Sequence, residues 1–122
     1  MIPNNDLEML QSFKSHGGIT LSAYLRLDTP QRRASAYDKF LQQVQVRLDE
    51  CGPQPGCREA IKEDMEIVKL YLQTNGHRRH AGLAIFSCAS ELFWRAYPLL
   101  VPVPTEITVG PGFNVEPLRQ VS

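Results

Sequence analysis

The chain has 122 residues, of which 43% are hydrophobic and 21% are charged, as is typical of one globular domain with a buried core. Thirteen Lys and Arg residues balance thirteen Asp and Glu residues, so the formal net charge is zero. This balance argues against a protein that coats nucleic acid or an anionic membrane by bulk charge, but it leaves room for a local basic patch.

The sequence contains neither a membrane anchor nor an export signal. No apolar run approaches the roughly 20 residues needed to cross a bilayer, and residues 1–13 lack the basic start and apolar stretch of a signal peptide. We therefore expect a cytoplasmic protein with no membrane partner.

The three cysteines, Cys51, Cys57 and Cys88, argue against a disulfide framework, because their number is odd and the chain lacks an export signal. Cys51 and Cys57 are close enough for a bridge or a shared metal ion, but their spacing matches no common zinc pattern. Cys88 ends an apolar run, which favours a buried free thiol. We expect no metal and no other cofactor.

The first elements predicted are a short helix within residues 1–18 and a strand. Asn5 or Asp6 could cap the helix, and Gly17-Gly18 would end it. Residues 19–27 alternate between apolar and polar, which predicts a strand with one buried face. Asp28-Thr29-Pro30 ends the strand and offers a cap to the next helix.

A long helical hairpin follows. Residues 31–50 and 57–74 both carry apolar residues at helical spacing, and Cys51–Gly56 contains two prolines and two glycines, which predicts a turn. Glu63 and Asp64 are adjacent in the second helix, so they point in different directions and are assigned to a solvated face. The apolar stripes are Ala36, Tyr37, Phe40, Leu41, Val44 and Leu48, and then Ile61, Met65, Val68 and Leu72.

Three further strands are predicted in the second half. Residues 81–88 are almost wholly apolar, as in a central strand covered on both faces, and residues 92–97 form its hairpin partner after a turn at Ala89-Ser90. Three prolines from Pro98 onward predict an extended linker before a last strand at 106–109. The order β-α-α-β-β-β predicts an α+β domain, residues 19–122. We expect a small mixed, partly antiparallel sheet of about four strands with the hairpin packed on one face.

No complete catalytic site is evident. Ser87 and Cys88 are candidate nucleophiles, and His16, His77 and His80 are candidate bases, but no nucleophile elbow surrounds them. A core edge is the favoured interpretation of Ser87-Cys88, and no glycine-rich phosphate loop is present. We therefore expect that this chain alone is not an enzyme. A small thiol enzyme using Cys88 is the weakest alternative.

The one concentrated basic run is His77-Arg78-Arg79-His80, and Arg32 and Arg33 could lie near the same side of the sheet. These six residues are candidate contacts for RNA phosphates. From the residues alone, a solvated loop facing the C-terminal dipole of the preceding helix is favoured. Four aromatic residues could likewise stack on bases, but packing on neighbours is favoured for strand aromatics: Tyr24, Phe93, Trp94 and Tyr97.

Several segments together carry a resemblance to a known family. They are Ile-Thr-Leu-Ser-Ala-Tyr-Leu at 19–25, Asp28-Thr29-Pro30 before the hairpin, Gly82–Cys88, the Pro-rich joint and Val115–Leu118. This arrangement resembles the amino-terminal domain of the class-1 peptide chain release factors of archaea and eukaryotes, and more closely their bacterial relatives. The resemblance covers residues 19–118.

The resemblance implies a ribosome-associated role in translation termination or rescue. The expected partners are the ribosome and, through the longer protein, tRNA or rRNA; neither DNA nor a membrane is expected as a partner. In the family, the hairpin tip carries an Asn-Ile-Lys-Ser loop that reads stop codons; here the tip is Gly52, Pro53, Gln54, Pro55 and Gly56, without that motif. The family's hydrolytic Gly-Gly-Gln loop belongs to the next domain and does not occur in this sequence. We therefore expect residues 1–122 to be part of a longer protein. The alternative is a protein-interaction or structural module with no RNA role. The oligomeric state stays open.

Overall fold

The structure is a computed structural model that describes residues 3–15, 18–75 and 80–121. Within these ranges no helix is both long enough and apolar enough to cross a membrane. The elements in chain order are α1 (Asn4–Ser12), β1 (Thr20–Arg26), α2 (Pro30–Glu50), α3 (Pro55–Asn75), β2 (Gly82–Cys88), a 3-10 turn (Ala89–Glu91), β3 (Phe93–Leu99), β4 (Glu106–Gly110) and α4 (Glu116–Val121).

The fold is the predicted α+β arrangement, with a four-stranded sheet in the order β3-β2-β1-β4 and a long helical hairpin on one face. The sheet was expected to be mixed, but each of its three pairings is antiparallel. The reason is the pair of helices between β1 and β2. Two antiparallel helices of 21 residues each return the chain to the end of the sheet where β1 stopped, so β2 runs back along it.

The hairpin begins and turns for local reasons. The Thr29 hydroxyl accepts a hydrogen bond from the backbone N–H of Arg32, and Pro30 occupies the first turn of α2, where a missing N–H costs nothing. The predicted turn 51–56 is too long by two residues, since α3 already begins at Pro55. The same tolerance for proline in a first helical turn explains this difference.

The first core layer lies between the hairpin and the sheet. Inward-facing residues of β1 and β2 meet the buried stripes of both helices. The Gln43 side chain fastens α2 to the edge of the sheet, because its Nε2 donates to Thr105 O at 3.0 Å and its Oε1 accepts from Ile107 N at 2.9 Å. The buried residues of this layer include Leu21, Ala23, Leu25, Phe40, Val44, Ile61, Val68, Leu83 and Ile85.

The second face of β1 was expected to be open to solvent, and that expectation is wrong. Thr20, Ser22 and Tyr24 are fully buried. The polar atoms on this face all have backbone partners: the Thr20 hydroxyl donates to Gly110 O at 2.9 Å, Ser22 Oγ accepts from Asn114 N at 2.9 Å, and the Tyr24 hydroxyl donates to Asn114 O. The alternating polar residues of β1 therefore face a second packed layer and not solvent.

Short helices α1 and α4 contribute to this second layer. Leu10 of α1 and Leu118 of α4 are buried against Tyr24 and Phe86. α1 starts after Pro3 without a side-chain cap and ends at Ser12, so neither the predicted cap nor the predicted glycine stop defines it. Instead, Asp6 accepts a hydrogen bond from the Tyr97 hydroxyl at 2.8 Å, which ties α1 to β3. α4 was not predicted.

The hairpin of β2 and β3 is confirmed, and β3 extends through Pro98 to Leu99. A proline is tolerated there because β3 is an edge strand, whose outward N–H groups have no strand partner.

The second layer predicts a large loss of stability when a buried side chain of α4 is shortened. Leu118→Ala removes a side chain that is 1% exposed, so we expect the free energy of unfolding to fall by about 2–4 kcal/mol. Urea denaturation followed by circular dichroism measures this loss. The matched control is Leu100→Ala, because Leu100 is 78% exposed and its truncation should change stability by less than about 0.5 kcal/mol. Equal effects of the two substitutions would contradict the second layer.

Candidate functional site

A cavity of about 90 Å³ lies where the ends of three strands meet the open end of the helical hairpin. The sheet contributes Leu25 of β1, Leu83 of β2 and Pro98 of β3, together with Leu27, which directly follows β1. The helices contribute Ala36, Tyr37, Tyr71 and Leu72. Two nitrogen-bearing side chains, Arg33 and His80, complete the lining of this otherwise largely apolar space.

The positions of Arg33 and His80 follow from the backbone around them. Arg33 lies in the first turn of α2, and its Nη1 donates to Leu27 O at 3.0 Å, so the guanidinium is held against the end of β1. His80 precedes Ala81, whose N–H donates to Leu99 O and whose carbonyl accepts from Leu27 N. The end of the sheet thus fixes both residues beside one cavity.

The structure brings together only part of the predicted basic set. Arg33 and His80 line the same cavity, whereas Arg32 is exposed on the first turn of α2 and does not line it. His77, Arg78 and Arg79 lie outside the described residues, as does His16. The assignment of these residues to RNA phosphates stays a prediction.

The hairpin tip lies at the other end of α2 and α3. Gly52, Pro53, Gln54 and Gly56 are exposed, and Gly52 adopts a left-handed conformation with φ of 61°, which glycine accepts without strain. The sequence argued against a disulfide framework but left open a bridge or a shared metal ion at Cys51 and Cys57, and these two residues form a disulfide across the turn. Cys51 is the buried C-cap of α2 and Cys57 lies in the first turn of α3, which places the two thiols side by side.

A buried polar cluster joins α3 to the end of β2. Asp64 was assigned to a solvated face, but it is only 1% exposed, and its Oδ1 accepts from Ser87 Oγ at 2.6 Å and from Ala89 N at 2.9 Å. Burial raises the pKa of Asp64 to about 6, against the lowering effect of these hydrogen bonds. The sequence did contain an indication of this burial, because Asp64 lies three residues after Ile61 and four before Val68, on the apolar stripe of the helix.

Cys88 is a buried free thiol, as predicted. Its Sγ lies 3.5 Å from Ser90 Oγ, and a reactive thiol would need exposure that this position does not give. His80 precedes β2 and Cys88 ends it, so about 20 Å or more of extended strand separates them. These two residues therefore do not form a nucleophile–base pair.

The four aromatic residues considered for base stacking pack on neighbours, as favoured, and do not share one surface. Tyr24 is fully buried, and Trp94 contacts Tyr71 of α3 with ring centroids 5.4 Å apart. Phe93 and Tyr97 instead pack in the second layer. Among the residues that the structure describes, no group of three or more His, Cys, Asp or Glu side chains is arranged to hold a metal ion.

Comparisons with known proteins inform the fold alone. No protein-family model matches the sequence, and no curated protein matches it. A solved structure described as "Archaeal protein" is similar, with a TM-score of 0.67 and 16% identity. The match covers 95% of this chain and 33% of the archaeal one, so this chain spans about a third of that protein's length.

The buried position of Asp64 predicts a pH-dependent stability. The pKa of Asp64 in the folded chain, about 6, lies above the value of about 3.9 in an unfolded chain. Protonated Asp64 therefore contributes most to the free energy of unfolding below about pH 4, and this contribution is lost as the pH rises through 6. Asp64→Asn keeps an acceptor oxygen and removes the charge. We expect the free energy of unfolding of Asp64→Asn, relative to the native chain, to rise by on the order of 3 kcal/mol from pH 4 to pH 8.

Two further variants separate charge from hydrogen bonding at this position. Asp64→Ala also removes the charge, so its free energy of unfolding relative to the native chain should rise with pH in the same way. Because it lacks the acceptor of two hydrogen bonds, it should stay about 1–3 kcal/mol less stable than Asp64→Asn at either pH. Glu63→Gln, at the exposed neighbour, should have little effect. Urea denaturation at both pH values measures all three, and a pH-independent difference between Asp64→Asn and the native chain would contradict the assignment.

The bridge at the hairpin tip predicts one free thiol per unreduced chain, that of Cys88, when the denatured protein is titrated with a thiol reagent. The bridge closes a short loop between residues six apart. Replacing both bridging cysteines by serine should therefore lower stability by about 2 kcal/mol through a gain in unfolded-chain entropy. Three titratable thiols in the native chain would show that the bridge does not form.

Proposed function

We propose that this chain is the non-catalytic amino-terminal domain of a release-factor-like protein. In this role it positions a downstream peptidyl-tRNA-hydrolysing domain on the ribosome during translation termination or rescue. The observation that carries the proposal is the fold, because the element order and the long helical hairpin agree with what the resemblance of residues 19–118 implies.

The hairpin supports a positioning role. α2 has 21 residues and therefore extends about 30 Å from the cavity end of the sheet to the tip. The tip is exposed, but it lacks the family's codon-reading motif, so the proposal assigns it a contact surface and not stop-codon recognition. The archaeal structure adds that the same fold occurs within a chain about three times as long.

The basic side chains would supply the ribosomal contact. Arg32 is exposed, Arg33 and His80 line one cavity, and His77, Arg78 and Arg79 directly precede His80 in the sequence. Cations at one end of the sheet suit RNA phosphates, which bind basic side chains in a salt-dependent way.

A ribosomal role requires a cytoplasmic location, where disulfides are uncommon. The proposal therefore needs a fold that tolerates reduction of the Cys51–Cys57 bridge. Arg58 supports this tolerance, because its Nη1 donates to Leu48 O at 3.0 Å and links α3 to α2 independently of the bridge.

The second candidate is a protein-interaction module, which one surface favours. On the outer side of α3, Ile67 and Leu70 are 41% and 63% exposed, and both lie in a shallow groove that also contains Trp94. Exposed apolar side chains grouped in this way are typical of a protein contact. The neutral net charge also suits this candidate.

Co-sedimentation with ribosomes at increasing salt tests the leading proposal. The double charge reversal Arg78→Glu and Arg79→Glu should weaken association about tenfold or more at low salt and reduce its salt dependence, because two phosphate contacts are lost. The matched control is Lys62→Glu with Lys69→Glu, which makes the same change in net charge on α3 and should leave association nearly unchanged.

The possible results separate the two candidates. Equal binding of the native chain and the Arg78/Arg79 variant would reject the basic run as the ribosomal contact. If the native chain binds neither ribosomes nor tRNA at low salt, the interaction module becomes the better assignment.

A further inference from the structure

We propose that the cavity between the sheet and the open end of the hairpin is a binding site for a short branched aliphatic carboxylate. The alkyl group would lie against Leu25, Ala36 and Leu83, and the carboxylate would bind Arg33 and His80. This inference does not rest on the proposed role in translation: Arg33 and His80 are also among the side chains proposed to contact RNA, but here the ligand is a small molecule held inside the cavity.

The volume of the cavity limits the alkyl group. The cavity measures about 90 Å³, whereas an apolar cavity of about 150 Å³ holds a benzene molecule. By proportion, the apolar part fits about three to four carbon atoms, which corresponds to a branched chain such as an isobutyl group. The inner walls are buried, with Leu25 fully buried, Ala36 5% exposed and Leu83 7% exposed.

The charge at the cavity determines the other end of the ligand. Among the residues that the structure describes, Arg33 and His80 are the only lining side chains with a nitrogen donor, and no carboxylate lines the cavity. Arg33 is absent from the ion pairs of the described residues, so its charge is not neutralised there. An anionic group is therefore favoured, and an uncharged or cationic ligand would leave the guanidinium without a counter-charge.

The geometry of Arg33 makes a carboxylate the suitable anion. One of its five N–H groups donates to Leu27 O, which holds the planar guanidinium in place and leaves its other donors for a ligand. Such a fork pairs with the two oxygens of a carboxylate. Because the apolar walls adjoin this group, one ligand can satisfy both parts of the cavity.

Titration with 3-methylbutanoate, followed by ¹⁵N–¹H correlation spectra, tests the proposal. We expect saturable shifts centred on residues of the cavity, with a dissociation constant on the order of 1 mM for a ligand of this size. Three comparison ligands separate the contributions: 3-methylbutan-1-ol lacks the charge, acetate lacks the branched alkyl group, and inorganic phosphate supplies an anion alone. Each should bind about tenfold more weakly or not at all.

Three variants connect the binding to the named residues. Arg33→Gln should weaken binding of 3-methylbutanoate about tenfold or more by removing the charged partner. Ala36→Leu should abolish it by filling the cavity, and its thermal unfolding is measured in parallel. Arg32→Gln is the matched control, since Arg32 is the exposed neighbour and does not line the cavity; its affinity should stay within about twofold.

The proposal is overturned if 3-methylbutanoate causes no saturable shifts, if the alcohol or phosphate binds equally well, or if Arg33→Gln binds as tightly as the native chain. Arg33→Gln decides the question even if Ala36→Leu fails to fold. Ribosome co-sedimentation of Ala36→Leu distinguishes this site from the proposed function, because Ala36 is not one of the basic residues proposed to contact RNA; loss of the small ligand with ribosome binding retained separates the two.

Discussion

The central constraint on this structure is that β1 is buried on both faces. It lies between β2 and β4, and six of its seven residues are buried. The apolar residues of one face pack under the hairpin, but the other face carries Thr20, Ser22 and Tyr24, whose polar atoms would cost stability if they were buried without partners. The segment around Gly110 and Asn114 supplies these partners from its backbone. The second layer, including α1 and α4, is therefore as necessary to the fold as the hairpin.

The cavity follows from the topology. Because two helices separate β1 from β2, the end of β1, the start of β2 and the end of β3 meet at one end of the sheet. The same end receives the first two turns of α2 and the last turns of α3, whose side chains Ala36 and Leu72 line the space with the strand residues. Arg33 and His80 lie there because each adjoins one of these junctions. Residues separated by almost 50 positions in the sequence thus share one site.

Local patterns predicted the elements that depend on local rules, and they failed where distant segments decide the environment. The Thr29-Pro30 start of α2 and the apolar run of β2 could be recognised from the sequence, and both are confirmed. The alternation in β1 indicated a strand correctly, but nothing within that segment shows that residues near Asn114 cover its polar face. Asp64 is similar, because its burial depends on Ser87 and Ala89, more than 20 residues away. The cavity is lined by residues from five elements of the fold, β1, α2, α3, β2 and β3 with their adjoining residues, so no local pattern in the sequence could indicate it.

The helical hairpin fixes the distance between the cavity at its open end and the exposed turn at its tip. Its open end carries Arg33, and its tip carries the exposed turn about 30 Å away, so α2 and α3 span both candidate surfaces. Their packing is continuous between these points: buried side chains recur along α2 from Ala36 to Leu48. At the tip, the Cys51–Cys57 bridge and the Arg58–Leu48 hydrogen bond act in parallel. Reduction would release the covalent link but leave the packed stripe and the hydrogen bond, so the tip keeps its register to the sheet in either redox state.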